Sequence, residues 1–375
     1  MTQNMQMKNF SIHTTSRREF LKTLGGAAIV APFATKCTSA PAPATILSTD
    51  SEMTHVETSL DESRKGASDI LPFSATGNMP LVLEITRFSP HDGPGIRTTV
   101  YLKGCHMRCS WCHNPESISS NPQIGFHKNR CILCKSCAEV CPVGAHTFSE
   151  NKHEFNHAIC TTCGKCVEAC LSGVLVLYGR ELPPETISEA VLEDLSFYQN
   201  SNGGCTISGG EPLLYPEFCA EIFRLLKQHN VHCAIDTSGE VIWEAFEKVL
   251  PYTDLFLYDL KHVDSDLHSA HTGRGNKKIL ENLQHLSRLK IPTEMRIPVI
   301  PKFNANNSFM RATGRFLSQL KNITAVRLLP FHASQSKYET IGAPYLMDGI
   351  LSPTADQMAS FAAILQSYHL TVINT

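Results

Sequence analysis

From residue 79 onward the apolar positions switch between two periods, about 2 and about 3.6 residues. Short runs rich in β-branched and aromatic residues predict strands at Leu81–Arg87, Ile96–Leu102, 204–208, 231–236, 254–259, 293–299, 324–329 and Leu370–Ile373. Apolar residues recurring three and four apart predict helices over 185–199, 216–229, 240–250, within 264–290, over 305–320 and over 355–367. The strands beginning at 96, 204, 231, 254, 293 and 324 are each followed by a loop and a helix. That alternation predicts an α/β fold, a parallel sheet curved into a partial (β/α)6 barrel. In such folds the chemistry collects at the C-terminal ends of the strands.

Two stretches break the pattern. Residues 118–176 carry many cysteines and little periodicity, and they read as an insertion between 79–117 and 177–375. Residues 38–78 are rich in Ser, Thr, Ala and Pro and show no period. Order is expected from Met79, behind a disordered linker over 45–78 and a leader over 1–44. The leader contains Ser16-Arg17-Arg18-Glu19-Phe20-Leu21-Lys22, an apolar run from Leu24 to Ala34 and small residues at 40–44. This matches a twin-arginine export signal with a cleavage site. Lys36 spoils a lipid-attachment reading at Cys37, which has no assigned role.

Composition narrows the classes. A chain of 375 residues suits one large domain or two to three smaller ones. With 35 acidic against 33 basic residues there is no basic stripe for nucleic acid and no polybasic membrane patch. No run is long and apolar enough for an integral membrane segment. Cysteine is the outlier, at 15 residues. Eleven sit in runs with two or three residues between neighbours, too close to pair easily with each other. Such soft thiolates suit iron–sulfur clusters in a reducing, anaerobic setting. Cys205, Cys219 and Cys233 fall in strand or helix patterns and read as buried small hydrophobes.

Cys105, Cys109 and Cys112 form a CxxxCxxC triplet. Three thiolates on a four-iron cluster leave one iron without a protein ligand, free to chelate the amino and carboxylate groups of a methionine-type molecule. A zinc site or an incomplete ferredoxin motif is the bland alternative. Ser208-Gly209-Gly210-Glu211-Pro212 ends the strand at 204–208. Its paired glycines let backbone approach a ligand, and Glu211 can accept from an ammonium; alone it would be a plain turn. Cys131, Cys134, Cys137 and Cys141 have x2, x2, x3 spacing before Pro142. Cys160, Cys163, Cys166 and Cys170 repeat it, with Leu171 in place of the proline. Tandem runs of this kind hold two [4Fe-4S] clusters, the fourth cysteine of each run ligating the other cluster. One set is then Cys131, Cys134, Cys137 and Cys170; the other is Cys160, Cys163, Cys166 and Cys141. Zinc is the alternative here too.

The triplet resembles the signature of radical S-adenosylmethionine (SAM) enzymes. Arg87-Phe88-Ser89-Pro90-His91-Asp92-Gly93-Pro94-Gly95-Ile96-Arg97-Thr98, then Lys103-Gly104-Cys105 and Trp111-Cys112-His113-Asn114-Pro115-Glu116, narrow it further. These stretches closely resemble the activating enzymes of glycyl radical enzymes, the pyruvate formate-lyase activase family, in its branch with two extra clusters. The resemblance covers 79–375. It implies a radical SAM barrel with an inserted bacterial two-[4Fe-4S] ferredoxin-like domain, three [4Fe-4S] clusters and SAM. It also implies a glycyl radical enzyme as protein substrate and a flavodoxin or ferredoxin as reductant.

Residue by residue, the resemblance implies that Trp111 packs near the adenine. Gly209, Gly210 and Glu211 would bind the SAM amino group. Asp236 and Thr237 would form a monovalent-cation site beside its carboxylate. Asp259, Lys261, Arg296 and His332 would contact SAM, and Asp92 would lie near the target peptide. Lys302 replaces a usual family glycine. No protein general base is expected. The rivals are a radical SAM enzyme acting on a small molecule or peptide, and a non-enzymatic electron carrier. Because SAM and such reductants are cytoplasmic, the cytoplasm is favoured over export through the leader.

Overall fold

The computed structural model of the protein describes residues 79–373. The leader, the twin arginines, Cys37 and the linker lie outside the described residues. One mixed sheet of nine strands organises the rest, in the order β13-β12-β11-β10-β9-β8-β2-β1-β7. Its strands are β1 (Leu81–Ser89), β2 (Arg97–Leu102), β7 (Arg180–Glu181), β8 (Gly204–Gly209), β9 (His232–Thr237), β10 (Leu255–Asp259), β11 (Thr293–Val299), β12 (Ile323–Pro330) and β13 (Val372–Ile373). The six strands expected to be parallel, β2 and β8 to β12, are consecutive neighbours and parallel. β13 extends them in parallel, and β1 pairs antiparallel with β2 and with β7 at the other edge. With β7 and β13 at open ends, the order agrees with a partial rather than a closed barrel.

Burial explains the arrangement. The middle residues of β8, β9 and β10 (Cys205, Thr206 and Ile207; Cys233, Ala234 and Ile235; Phe256, Leu257 and Tyr258) are all fully buried. Strands covered on both faces need such continuous apolar runs. The helix Pro216–Lys227 covers them with Cys219, Ile222, Phe223 and Leu226, one face of a 3.6-residue period. Asn306 and Thr354 cap the helices Asn307–Leu317 and Ala355–Gln366 by accepting backbone N–H bonds. Cys205, Cys219 and Cys233 are buried, as expected.

Three elements differ from the sequence reading. The helix expected over 185–199 is two, Pro184–Leu192 and Leu195–Ser201. The break falls at Asp194, whose carboxylate turns into the protein and accepts from Arg87 Nε (2.7 Å), Arg87 Nη2 and Thr98 Oγ1 (3.0 Å). That tertiary pull outweighs helical periodicity. A short helix, Gln335–Thr340, follows β12 where no element was expected. Residues 118–178 contain two small antiparallel pairs, β3 (Gln123–Phe126) with β6 (Leu175–Tyr178) and β4 (His146–Ser149) with β5 (Lys152–Phe155). Their apolar residues Ile124, Phe126, Val174, Leu175 and Leu177 pack against Cys137 and Cys166 in a core of their own. Strands of four residues facing cysteines are too short to show a period.

The loop between β1 and β2 is lashed to the sheet. Arg97, fully buried, donates to Thr206 Oγ1 (2.6 Å) and Pro94 O (3.2 Å), and Thr206 Oγ1 donates to Asp92 O (2.6 Å). Gly95 sits at φ +69°, where an added Cβ would lie 2.4 Å from Ser201 O. Only glycine fits that approach. Among the described residues no helix is long and apolar enough to cross a membrane.

Asp194→Ala should lower stability by about 2–3 kcal/mol, because it removes the acceptor of buried Thr98 and leaves Arg87 only the exposed Glu193. Glu193→Ala, removing only the exposed partner of Arg87, should cost about 0–1 kcal/mol. Urea unfolding midpoints of the two variants check the contrast; equal shifts would count against it.

Candidate functional site

The strand ends enclose a cavity of about 630 Å³. β2 delivers the loop carrying Cys105, Cys109 and Cys112, β8 delivers Gly209 and Gly210, and β9 delivers Asp236 and Thr237. β10 delivers Asp259 and Lys261, and β12 delivers His332. Trp111 completes the wall, packed on Phe303 at 4.7 Å between ring centres and facing His271 at 6.3 Å. All these residues, singled out from scattered stretches, meet in one space.

The cysteine loop is held from several sides. Cys105 N donates to Ile118 O (3.0 Å), Arg108 N to Thr272 O (2.7 Å) and Ser110 N to His271 O (3.0 Å). Sequence reasoning missed a second set of holders on the unexpected helix Gln335–Thr340 and the residue before it. Tyr338 OH (3.0 Å) and Ser334 Oγ (3.3 Å) donate to Cys112 O. Lys337 Nζ reaches Asn114 Oδ1 (2.9 Å) and Glu116 Oε1 (3.2 Å). No periodic signal marks these residues, which act through a fold contact more than 200 positions away in sequence.

Burial pushes the Cys109 thiol up to about 11 and, with Cys109 beside it, the Cys112 thiol up to about 12. Thiols so placed give up their protons to a metal. Lys261 supplies the opposing charge. Burial disfavours its ammonium, but Asp259 at 2.6 Å and Cys109 outweigh that and hold it charged.

Three expected contacts differ. Glu211 does not line the cavity. It is buried, and its carboxylate accepts from Leu213 N (3.1 Å), Thr237 Oγ1 (2.7 Å), Ser238 N (2.9 Å) and Ser238 Oγ (2.5 Å). Those donors occupy the oxygens expected to meet an ammonium, and the part of the motif that lines the cavity is Gly209 and Gly210. Gly209 keeps that backbone close to β2: at φ +120°, an added Cβ would lie 2.2 Å from Leu102 O. Arg296 also stands behind the wall. It donates to His91 O (2.6 Å) and faces Asp236 at 3.5 Å and Asp92 at 3.9 Å. Asp92 points inward, accepting from Thr99 Oγ1 (2.7 Å) and Tyr101 OH (3.2 Å), while its neighbour His91 lines the cavity.

Asp236 and Asp259 line the cavity beside Thr237. Burial pushes the Asp236 carboxyl up to about 6; Arg296 and Ser208 Oγ (2.7 Å) oppose, and Asp259 adds to the rise.

The remaining cysteines gather as crossed sets. Cys131, Cys134, Cys137 and Cys170 line one small cavity with His153 and Ser172. The Cys166 thiol, pushed up to about 12 by burial first, also feels Cys160, Cys163, Cys137 of the first set and Cys141. Among the described residues, the ligating atoms that come within 4.8 Å of one another as a group of three belong to Cys137, His146 and His153, not to three thiols. Zinc–sulfur bonds of about 2.3 Å at tetrahedral angles require sulfurs about 3.8 Å apart. Among the described residues no three thiols form such a group.

Residues 99–308 match the radical SAM superfamily. The (2S)-3-sulfopropanediol dehydratase activating enzyme of Klebsiella oxytoca is 38% identical over 278 residues, 72% of this chain and 88% of the relative. The choline trimethylamine-lyase activating enzyme of Oleidesulfovibrio alaskensis is 35% identical over 299 residues, 78% and 96% of the two chains. The trans-4-hydroxy-L-proline dehydratase activating enzyme of Clostridioides difficile is 35% identical over 292 residues, 77% and 96%. The chain belongs to the radical SAM superfamily and, within it, to the activating enzymes of glycyl radical enzymes.

Proposed function

We propose that the cavity at the strand ends holds a four-iron cluster on Cys105, Cys109 and Cys112 with SAM on its open iron, and that a partner's glycine reaches it past His91. The observation that carries this reading is the meeting of the three thiols with Gly209, Gly210, Asp236, Asp259 and Lys261 around one cavity. The chemistry supplied there, when cluster and SAM are bound, is one-electron cleavage of SAM to methionine and a 5′-deoxyadenosyl radical that removes hydrogen from a glycine Cα.

The chain's own residues bind and orient. The backbone at Gly209 and Gly210 meets the methionine amino group. Lys261, buried and charged, faces its carboxylate, and Asp236, Thr237 and Asp259 hold a monovalent cation there. Trp111 lies against the adenine, and His332 closes the wall. Arg296 fixes the loop over 88–96 through His91 O, so Asp92 shapes the peptide-facing loop from within. No residue is asked to move a proton.

Residues 118–176 are the ferredoxin-like insertion in a barrel of 79–117 and 177–375. The crossed gathering of Cys170 with Cys131, Cys134 and Cys137 supports two auxiliary clusters. An external flavodoxin or ferredoxin supplies electrons, and the auxiliary clusters relay them. The relatives named above serve different glycyl radical enzymes, and what they share is a protein glycine as substrate. The cytoplasm, where SAM and reductant reside, is the assigned place of action.

Protein assembled without oxygen should hold about twelve irons per chain, and Cys112→Ala about eight. The variant should form no 5′-deoxyadenosine under reductant and SAM, measured by chromatography. Continued 5′-deoxyadenosine formation would sink the assignment of the triplet; a wild-type value near four irons would sink that of the insertion.

Glu211→Gln should weaken SAM binding about tenfold with iron content unchanged, since the amide NH2 that replaces one oxygen cannot accept from the backbone N–H of Leu213 or Ser238 that it faces. Calorimetric titration of the loaded protein with SAM measures this. A loss beyond about a thousandfold would put the Glu211 carboxylate back on the ligand.

A further inference from the structure

The tandem cysteine runs look equivalent in sequence, but their surroundings differ. Beside the Cys131 set lies a buried pair of imidazoles. His153 Nδ1 is 3.3 Å from Cys131 Sγ, and its Nε2 is 3.0 Å from His146 Nδ1 and 3.8 Å from Cys137 Sγ. Phe148 stacks on the His153 ring at 4.2 Å and 12°, Phe126 packs at 4.3 Å, and Phe155 stacks on His146 at 4.7 Å and 19°. The rings are clamped in place by β3, β4 and β5. The sulfurs of the other set are met by backbone: Thr162 N donates to Cys160 Sγ (3.3 Å) and Ala145 N to Cys141 Sγ (3.2 Å).

The proton positions follow from satisfaction of the buried nitrogens. His146 Nε2 is buried with no partner. A stranded N–H costs more than a stranded lone pair, so the His146 proton sits on Nδ1 and is donated to His153 Nε2. His153 then carries its proton on Nδ1, aimed at Cys131 Sγ.

We propose that His153, oriented by His146, donates a hydrogen bond to the Cys131 sulfur and raises the reduction potential of the cluster on Cys131, Cys134, Cys137 and Cys170. This rests on the reading of the insertion as a two-cluster unit. An N–H aimed at a ligating sulfur stabilises the extra electron of the reduced state and raises the potential. The pair thus gives the cluster on the Cys131 set an imidazole donor, where the other set is met by backbone N–H groups.

The test is a potentiometric titration of the full chain, loaded without oxygen and followed by electron paramagnetic resonance. His153→Phe keeps the ring's shape between Phe126 and Phe148 but removes the donor. It should keep all its iron and lower the midpoint of one auxiliary cluster, leaving the other and the SAM-site cluster unchanged. His153→Gln, which retains an N–H, should shift it less. His146→Phe should shift the same cluster the same way by a smaller amount. Wild-type midpoints in His153→Phe would overturn the inference. So would loss of about four irons in both His153 variants, which would make His153 a ligand or a purely structural residue. A wild-type chain holding only about four irons would fail earlier, at the two-cluster reading, and take this inference with it.

Discussion

The buried carboxylate of Glu211 is the constraint on which the site depends. Burial raises the Glu211 carboxyl above its ordinary range and hydrogen bonds from Ser238, Thr237 and Leu213 oppose this; a carboxyl removed from water must be met by such donors or it destabilises its surroundings. Glu211 meets Leu213 N, Thr237 Oγ1, Ser238 N and Ser238 Oγ. These belong to the chain just after β8 and to the end of β9 and the turn beyond it. One side chain therefore fixes Gly209 and Gly210 on one wall of the cavity relative to Asp236 and Thr237 on the next. The close approach of Gly209 to Leu102 O ties the same wall to β2 and hence to the cysteine loop.

A second layer of charge surrounds this core. Arg296 lies between Asp236 on the cavity wall and Asp92 under the loop over 88–96, with His91 O as its hydrogen-bond acceptor. Lys261 with Asp259 repeats the arrangement on the next strand. Buried cations alternating with carboxylates keep each ion partly compensated. The geometry that orients a ligand's carboxylate and the geometry that shapes the peptide-facing loop thus share a strut.

What was legible in the sequence is what is local. Each parallel strand carries its own period and its own functional residues at its C-terminal end, so the order of β2 and β8 to β12 and the meeting of Cys105, Asp236 and Lys261 could be anticipated. The crossing of Cys170 into the Cys131 set was legible because paired four-cysteine runs have a fixed topology. What escaped depends on partners distant in sequence. Asp194 breaks a periodic helix to reach Thr98, and Glu211 spends its oxygens on Ser238 and Thr237 rather than on the cavity. The helix Gln335–Thr340 has too few residues to show a face, yet Tyr338 holds the Cys112 carbonyl. His153 gave no signal at all, since its importance lies in the aromatic clamp that aims it.

The most direct measurement of the central claim follows the hydrogen itself. The reduced, loaded protein with SAM is mixed with each glycyl radical enzyme of its organism, the enzyme's glycines carrying deuterium at Cα. A glycyl radical signal in one of them, with deuterium appearing in 5′-deoxyadenosine, is the expected result. SAM cleavage that yields 5′-deoxyadenosine free of deuterium and no glycyl radical in any of them would contradict it.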